Sequence, residues 1–223
     1  MITTEEADTN MRFYLNELFQ FVIAVSKRHN IDESHSVGHS MRVFQFAEQI
    51  AREESKWVPN PAAFMDQRAV IHTAAILHDT CDKKYRNETD GLVELREFLK
   101  PKMPEEQVDA TLDIIGTMSY STVKKHGMPM LGKYQTAYNV VREADLLDAY
   151  DFDRSIIYHM ERNGKTLEDA FDDAQQLFET RVLRHQMDGL LLTRYAQREH
   201  KILAQNAIVR MHHWRRVLKH VGR

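Results

Sequence analysis

Apolar residues recur at mixed three- and four-residue steps along most of this 223-residue chain, and little interrupts them. In MRFYLNELFQFVIAVSKRH they are Phe13, Leu15, Leu18, Phe19, Val22 and Val25; in SMRVFQFAEQIAREE they are Met41, Val43, Phe44, Ala47 and Ile50. That spacing stacks side chains on one face of a helix. The 8 glycines and 5 prolines fall between such segments rather than inside them. WVPNPAAF breaks the chain, and a helix then runs from Ala69 to His78. GLVELREFLK is a short helix stopped by Pro101, and PEEQVDATLDIIGTM opens on Pro104 and two acids that suit a helix N-terminus. Beyond residue 133, YQTAYNVVREADLLDAYDF, SIIYHMERN, LEDAFDDAQQLFETRVL and the stretch from Leu190 to His220 read as helices. The longest irregular piece is 116–133, GTMSYSTVKKHGMPMLGK, a loop length often tied to function in compact domains. No segment alternates like a strand, so the expected fold is all-α, in a single domain over 1–223.

A chain of this length can bury a sizeable core. Its composition, 43% hydrophobic and 28% charged, is that of an ordinary globular protein. A net charge of −3 gives no reason to expect nucleic acid or an anionic membrane as partner. No apolar run is long enough to span a bilayer, and MITTEEADTNMRF lacks the pattern of a secretory signal. With one cysteine, Cys81, no intramolecular disulfide is possible, and a cytoplasmic location is expected. Asn87-Glu88-Thr89 matches a glycosylation sequon by chance on that reading. The 12 histidines stand out more, because neutral imidazole is the commonest metal ligand.

The segment AAILHDTCDKKY ends an apolar run on His78 and Asp79. Burying either group costs several kcal/mol, on the order of 2–7, unless it is paired, hydrogen-bonded or metal-bound. Two other places supply partners of the same kind. SVGHSMRV sets His39 early in a helix with Arg42 on the same face, and VVREADLLDAY sets Asp145 after Val140, Val141 and Ala144 with Asp148 near one turn on. Imidazoles and carboxylates converging from several helices make a site with nitrogen and oxygen ligands.

The order His39, then His78-Asp79, then Asp145 resembles the defining set of the HD-domain metal-dependent phosphohydrolases. The resemblance runs from about residue 31 to 148, with helices 151–220 packing on that core. SYS at 119–121, ahead of ADLLDA, looks like the small nucleotide-pyrophosphatase branch. The resemblance implies a helical bundle holding one divalent cation (Mn, Mg, Co, Ni, Fe or Zn) on His39, His78, Asp79 and Asp145. It implies hydrolysis of a nucleotide or other small phosphorylated metabolite. Independently, two carboxylates balance the charge of M²⁺, and a six-coordinate ion keeps positions open for water and a phosphate oxygen.

Other residues extend the expectation. Asp82 follows Asp79 by three, so helical geometry would bring it to a metal-bound water as general base; a solvated helix-end acid is the alternative. Arg42 and Lys83 are candidates for holding phosphates, in preference to Lys84. His35, four residues before His39, is a candidate substrate contact, and so is Asp148, which otherwise bonds near the metal or merely caps the helix turn. His72 reads as a satisfied structural histidine. Tyr120 and Tyr150 could stack on a base but are more simply core, and Cys81 reads as packing. The chain departs from the common His-Asp-x-Gly-Lys pattern, having no glycine and placing Asp82 before the lysines. Met118 stands where the related branch has a histidine.

The C-terminal VRMHHWRRVLKHVGR offers His212, Arg215, Arg216 and Lys219 as an anion-binding face, or else an amphipathic helix with Val209, Trp214, Val217 and Leu218 inward. Two other classes stay open: an HD module that binds a nucleotide or metabolite as a sensor, and an oxidative di-iron enzyme needing His72 or His35 as extra ligands.

Overall fold

The computed structural model describes residues 4–221, with side chains over 11–220. Helices α1 (Thr4–His29), α2 (Val37–Glu54), α4 (Arg68–Leu77), α5 (Glu88–Leu99), α6 (Glu105–Thr117) and α8 (Gln135–Asp148) build the first layer of packing. Short α3 (Pro61–Met65) and α7 (Tyr120–His126) lie in the connections, and α9 (Phe152–Glu161), α10 (Leu167–Thr180) and α11 (Arg194–Val221) follow. No strand occurs among the described residues, so the all-α expectation holds. None of these helices is long and apolar enough to cross a membrane.

Helix α4 is the hub. Every residue from Val70 to Leu77 is buried, which matches its almost uninterrupted apolar sequence. It packs against α2, α6 and α8, and its neighbours bring Leu18, Val43, Ile50, Leu95, Val108, Ile114 and Val141 into one cluster. On α1, Leu18, Val22 and Val25 are buried as the periodicity requires, but Phe13 is 63% exposed. Met41 likewise faces outward on α2.

A second cluster forms where α9, α10 and α11 meet, with Phe152, Ile156, Phe171, Phe178 and Met211 at its centre. The inward face of α11 runs Leu203, Ala204, Ala207, Met211, Trp214 and Leu218. Val209, expected inward, falls on the opposite side and is 61% exposed. Arg210 forks onto Asp153, with Nε–Oδ1 at 2.9 Å and Nη2–Oδ2 at 2.6 Å, and Arg215 bonds Gln175 at 2.8 Å. Part of the basic face thus serves packing between helices.

Three expectations about elements change. The piece 116–133 is not irregular throughout: α7 starts at Ser119, whose hydroxyl accepts from the Thr122 N–H at 3.2 Å, and stops at Gly127 with φ +78°. Helix α4 ends at Leu77, not His78, because the chain tightens into a 3₁₀ turn over His78–Cys81. The last helix begins at Arg194, not Leu190.

That late start has an electrostatic cause. Residues 190–193 are tied to the buried carboxylate of Glu143 on α8, which accepts from the N–H groups of Leu192 and Thr193, both at 2.9 Å, and from the Thr193 hydroxyl at 2.7 Å. Arg142, also buried, donates to the Leu190 carbonyl at 2.6 Å and approaches Glu143 at 3.3 Å. Removing one partner of such a set leaves uncompensated polar groups. Glu143→Ala is expected to cost about 3–5 kcal/mol, read from urea unfolding of the variant beside the parent. A loss within the error of the fit would mean that this carboxylate does not anchor the segment.

Candidate metal centre

The 3₁₀ turn after α4 carries two consecutive side chains, His78 and Asp79, that line one pocket. The turn is held locally by the Thr80 hydroxyl on the Leu77 carbonyl at 2.7 Å. It is also pressed by α5, since a Cβ on Gly91 would lie 3.0 Å from Cys81 Sγ and 3.1 Å from Cys81 Cα. Cys81 is buried there, and burial pushes its thiol pKa up to about 11, so it packs and does not react at neutral pH.

His39 from α2 and Asp145 from α8 meet this turn. His39 Nε2 lies 3.0 Å from His78 Nε2, 3.2 Å from Asp79 Oδ2 and 3.4 Å from Asp145 Oδ1. His78 Nε2 lies 3.4 Å from Asp79 Oδ1 and 3.7 Å from Asp145 Oδ1. One donor atom each from His39, His78 and Asp145 falls within 4.8 Å of the others, and Asp79 stands beside them. Adjacent ligands of a six-coordinate ion with bonds of about 2.1 Å are about 3.0 Å apart, close to these separations.

The second ring nitrogens explain which atoms face inward. His39 Nδ1 bonds Asp148 Oδ2 at 2.6 Å, and His78 Nδ1 bonds the Ala75 carbonyl at 3.0 Å. With each Nδ1 so engaged, both Nε2 atoms turn inward and face one another, an arrangement that suits a shared cation once the proton on His39 is displaced. Asp79 Oδ2 is buried and accepts no hydrogen bond among the described residues. Two neutral imidazoles, two carboxylates and an orphaned carboxylate oxygen fit a divalent cation.

Electrostatics points the same way. Burial and the neighbouring Arg154 oppose protonation of His39, but Asp145, Asp148 and Asp79 outweigh them and lift its pKa to about 10. Burial alone would raise Asp79 and Asp145; the positive fields of His78 and His39 instead hold both below the usual carboxylate range. The metal-free cluster therefore keeps a proton among its carboxylates, where a cation's charge would stand.

A cavity of about 260 Å³ opens over this cluster, lined by His78, Asp79 and Asp145 and also by Asp82, Lys83, Lys84 and His35. Asp82 reaches it, but not by continuing a helix. It follows the 3₁₀ turn in extended backbone (φ −60°, ψ 124°), accepts from the Lys84 N–H at 2.8 Å and sits 3.2 Å from Lys84 Nζ. His35 also lines the cavity, with Nδ1 at 2.6 Å from the Ser34 hydroxyl and 3.1 Å from the Tyr85 hydroxyl, and Nε2 at 3.1 Å from Lys84 Nζ. Burial lowers its pKa against the opposing pull of Asp32 and Asp79.

Two expected substrate contacts are placed elsewhere. Arg42 Nε and Nη2 fork onto Asp148 at 2.7 and 3.2 Å, and its side chain borders a different groove. Asp148 is 3% exposed and accepts from His39, Arg42 and Arg154, so it orients His39 instead of meeting a substrate. His72 bonds Glu48 and stands edge-on to Phe44, with no part in the cluster. Lys84, ranked below Lys83, faces the cavity with its ammonium 5.4 Å from the centre of the Tyr158 ring. Arg154 and Arg181, absent from the expected set, both line the cavity. Nothing local marks them, for each lies outside the motif segments and is brought in by α9 and by the end of α10.

The comparisons with known proteins agree with this geometry. The HD domain family model matches residues 37–166, more than half of the chain. No curated protein matches it. A protein from Lactobacillus plantarum, solved as a structural-genomics target, superposes with a TM-score of 0.68 over 98% of this chain and 99% of its own, at 19% identity, which speaks to fold alone. With the model spanning all four candidate ligands, the chain belongs to the HD-domain family.

Proposed function

We propose that this protein hydrolyses a phosphate bond in a nucleotide or another small phosphorylated metabolite, with His39, His78, Asp79 and Asp145 holding one divalent cation. The observation that carries this reading is the set of facing Nε2 atoms and carboxylates beneath a cavity edged by cationic side chains. A cation bound there supplies a Lewis acid for the phosphoryl oxygen and lowers the pKa of a water. The protein's own work is positional. Asp148 and the Ala75 carbonyl fix the two rings, so both lone pairs stay aimed inward. Asp82 takes the proton of the attacking water, and its ion pair with Lys84 orients it for that task. Lys83 and Lys84 flank the entry of an anionic group. The resemblance of SYS at 119–121 favours cleavage of a pyrophosphate link, and Met118 and Tyr120 of that segment line the same cavity.

Release of phosphate and pyrophosphate from a nucleotide panel with Mn²⁺, Mg²⁺, Co²⁺ or Ni²⁺ tests the assignment. Metal-dependent release is expected, and Asp79→Ala should abolish it. A chain that binds one metal ion yet releases nothing from any substrate would instead be a ligand-binding sensor.

Asp82→Asn separates its role from metal binding: turnover is expected to fall about 10²–10⁴-fold with bound metal per chain unchanged. Retained turnover would leave Asp82 as a partner of Lys84 only.

Metal uptake should depend on pH with a defined sign. Because His39 carries a pKa of about 10 before metal binds, a cation must displace its proton at neutral pH. Calorimetric titrations at pH 7 in two buffers of different ionisation enthalpy should show about one proton released per metal, and affinity should rise with pH. Affinity that is flat between pH 6 and 8 would mean that no ligand proton is displaced.

A further inference from the structure

The cavity over the metal centre continues into a larger chamber of about 450 Å³ between α9 and α10. His35, Lys84, Arg154 and Arg181 wall both spaces and so form the neck between them. Three of these have protein partners: Lys84 faces Asp82 at 3.2 Å, Arg154 donates to Asp148 at 2.7 Å, and His35 is tied to Ser34 and Tyr85.

Arg181 differs. It sits in the break between α10 and the 3₁₀ turn Val182–Arg184, at φ −134° and ψ −65°. Its guanidinium carbon lies 3.9 Å from the centre of the Tyr120 ring, a cation–π contact that holds the group in place. Its Nε is buried with no hydrogen-bond acceptor, and it joins no ion pair among the described residues. Burial lowers its pKa, and Asp145 acts on it from across the cavity without contact. A half-buried guanidinium whose Nε has no acceptor is incompletely paired, and an anion entering the cavity would supply the missing partner.

The nearby charges leave that anion to the substrate. Asp79 and Asp145 balance a divalent cation, Asp82 is matched by Lys84, and Asp148 is shared by Arg42 and Arg154. Arg181 remains. We propose that Arg181 binds a phosphate group of the substrate at the neck, so that the substrate reaches from the metal centre towards the α9–α10 chamber. This rests on the phosphohydrolase reading of the same site. An arginine fork offers two parallel N–H groups to two phosphate oxygens, which a lysine at that place would not.

The probe is inorganic pyrophosphate titrated calorimetrically into the Mn²⁺-loaded full chain, comparing the parent with Arg181→Met and Arg181→Gln. Both substitutions keep a side chain of comparable length against Tyr120 and remove the charge; should one lose its cooperative melt, the other carries the test. The expected result is a tenfold or greater loss of pyrophosphate affinity with bound Mn²⁺ per chain unchanged. Equal affinity in a folded variant, or no pyrophosphate binding by the parent, would overturn the inference. Arg181-dependent pyrophosphate binding without turnover of any substrate would remove the hydrolase reading while keeping the anion site. Turnover and pyrophosphate affinity both unaffected by the substitution would do the reverse.

Discussion

Everything at the centre of this molecule depends on the carboxylate of Asp148. It accepts from His39 Nδ1, from two nitrogens of Arg42 and from Arg154, and so binds α2, α8 and α9 at one point. With burial as the main opposing effect, His39 and then Arg154 hold it well below the usual carboxylate range. An ionised carboxylate this deep is sustained only by donors on most of its lone pairs. In return it dictates the tautomer of His39, and with it the direction of the lone pair that meets His78. A neutral or misplaced group here would free the ring, take the carboxylate from Arg154 and leave Arg42 only its longer approach to Asp151 at 3.8 Å.

His78 receives the same service from backbone instead of a side chain, through the Ala75 carbonyl. This economy follows from the 3₁₀ turn. The chain tightens at Leu77 and leaves the turn at Asp82 in extended backbone, so Asp82 stands outside helical register. Asp82 is consequently positioned by Lys84, not by helix periodicity. The close approach of α5 at Gly91 stiffens this turn, since the space a side chain would need is filled by Cys81.

What could be read in the sequence follows the range of the interactions. Helix faces with short-range periodicity, such as Val70 to Leu77 on α4, and the candidate ligands His39, His78, Asp79 and Asp145 carry local signals, and the structure brings those four side chains together. Helix α7 was also legible, since the Ser119 cap, the basic last turn and Gly127 are ordinary stop and start signals. The methionines and glycines around it carry no helical periodicity, so 116–133 as a whole reads as a loop. Other features had no local trace. Arg42 shares a face with His39, yet spacing alone does not say whether it turns to the cavity or to Asp148. Arg154, Arg181 and the hold of Glu143 on Leu192 and Thr193 are contacts across long stretches of chain, set only when α9, α10 and the segment before α11 are packed. Val209 was misplaced by a single register choice, because α11 uses the face of Ala207 and Met211.

The placement of charge divides the chain into two kinds of contribution. The motif segments α2, the turn after α4 and α8 supply anions and imidazoles, which suit a cation. The cations facing the same cavity come from Lys83 and Lys84 at its rim and from Arg154 and Arg181, carried by α9 and the end of α10. The family match ends at residue 166, so Arg181 and the α10 wall of the larger chamber lie beyond the part that defines the family. A pocket built this way can change what it admits without disturbing the candidate ligands, because α10 packs through Phe171 and Phe178 on Phe152 in a hydrophobic cluster separate from that of α4. Differences between HD-domain chains in the substrates they take would then be sought on the faces of α9 and α10, and constancy of chemistry in the turn after α4.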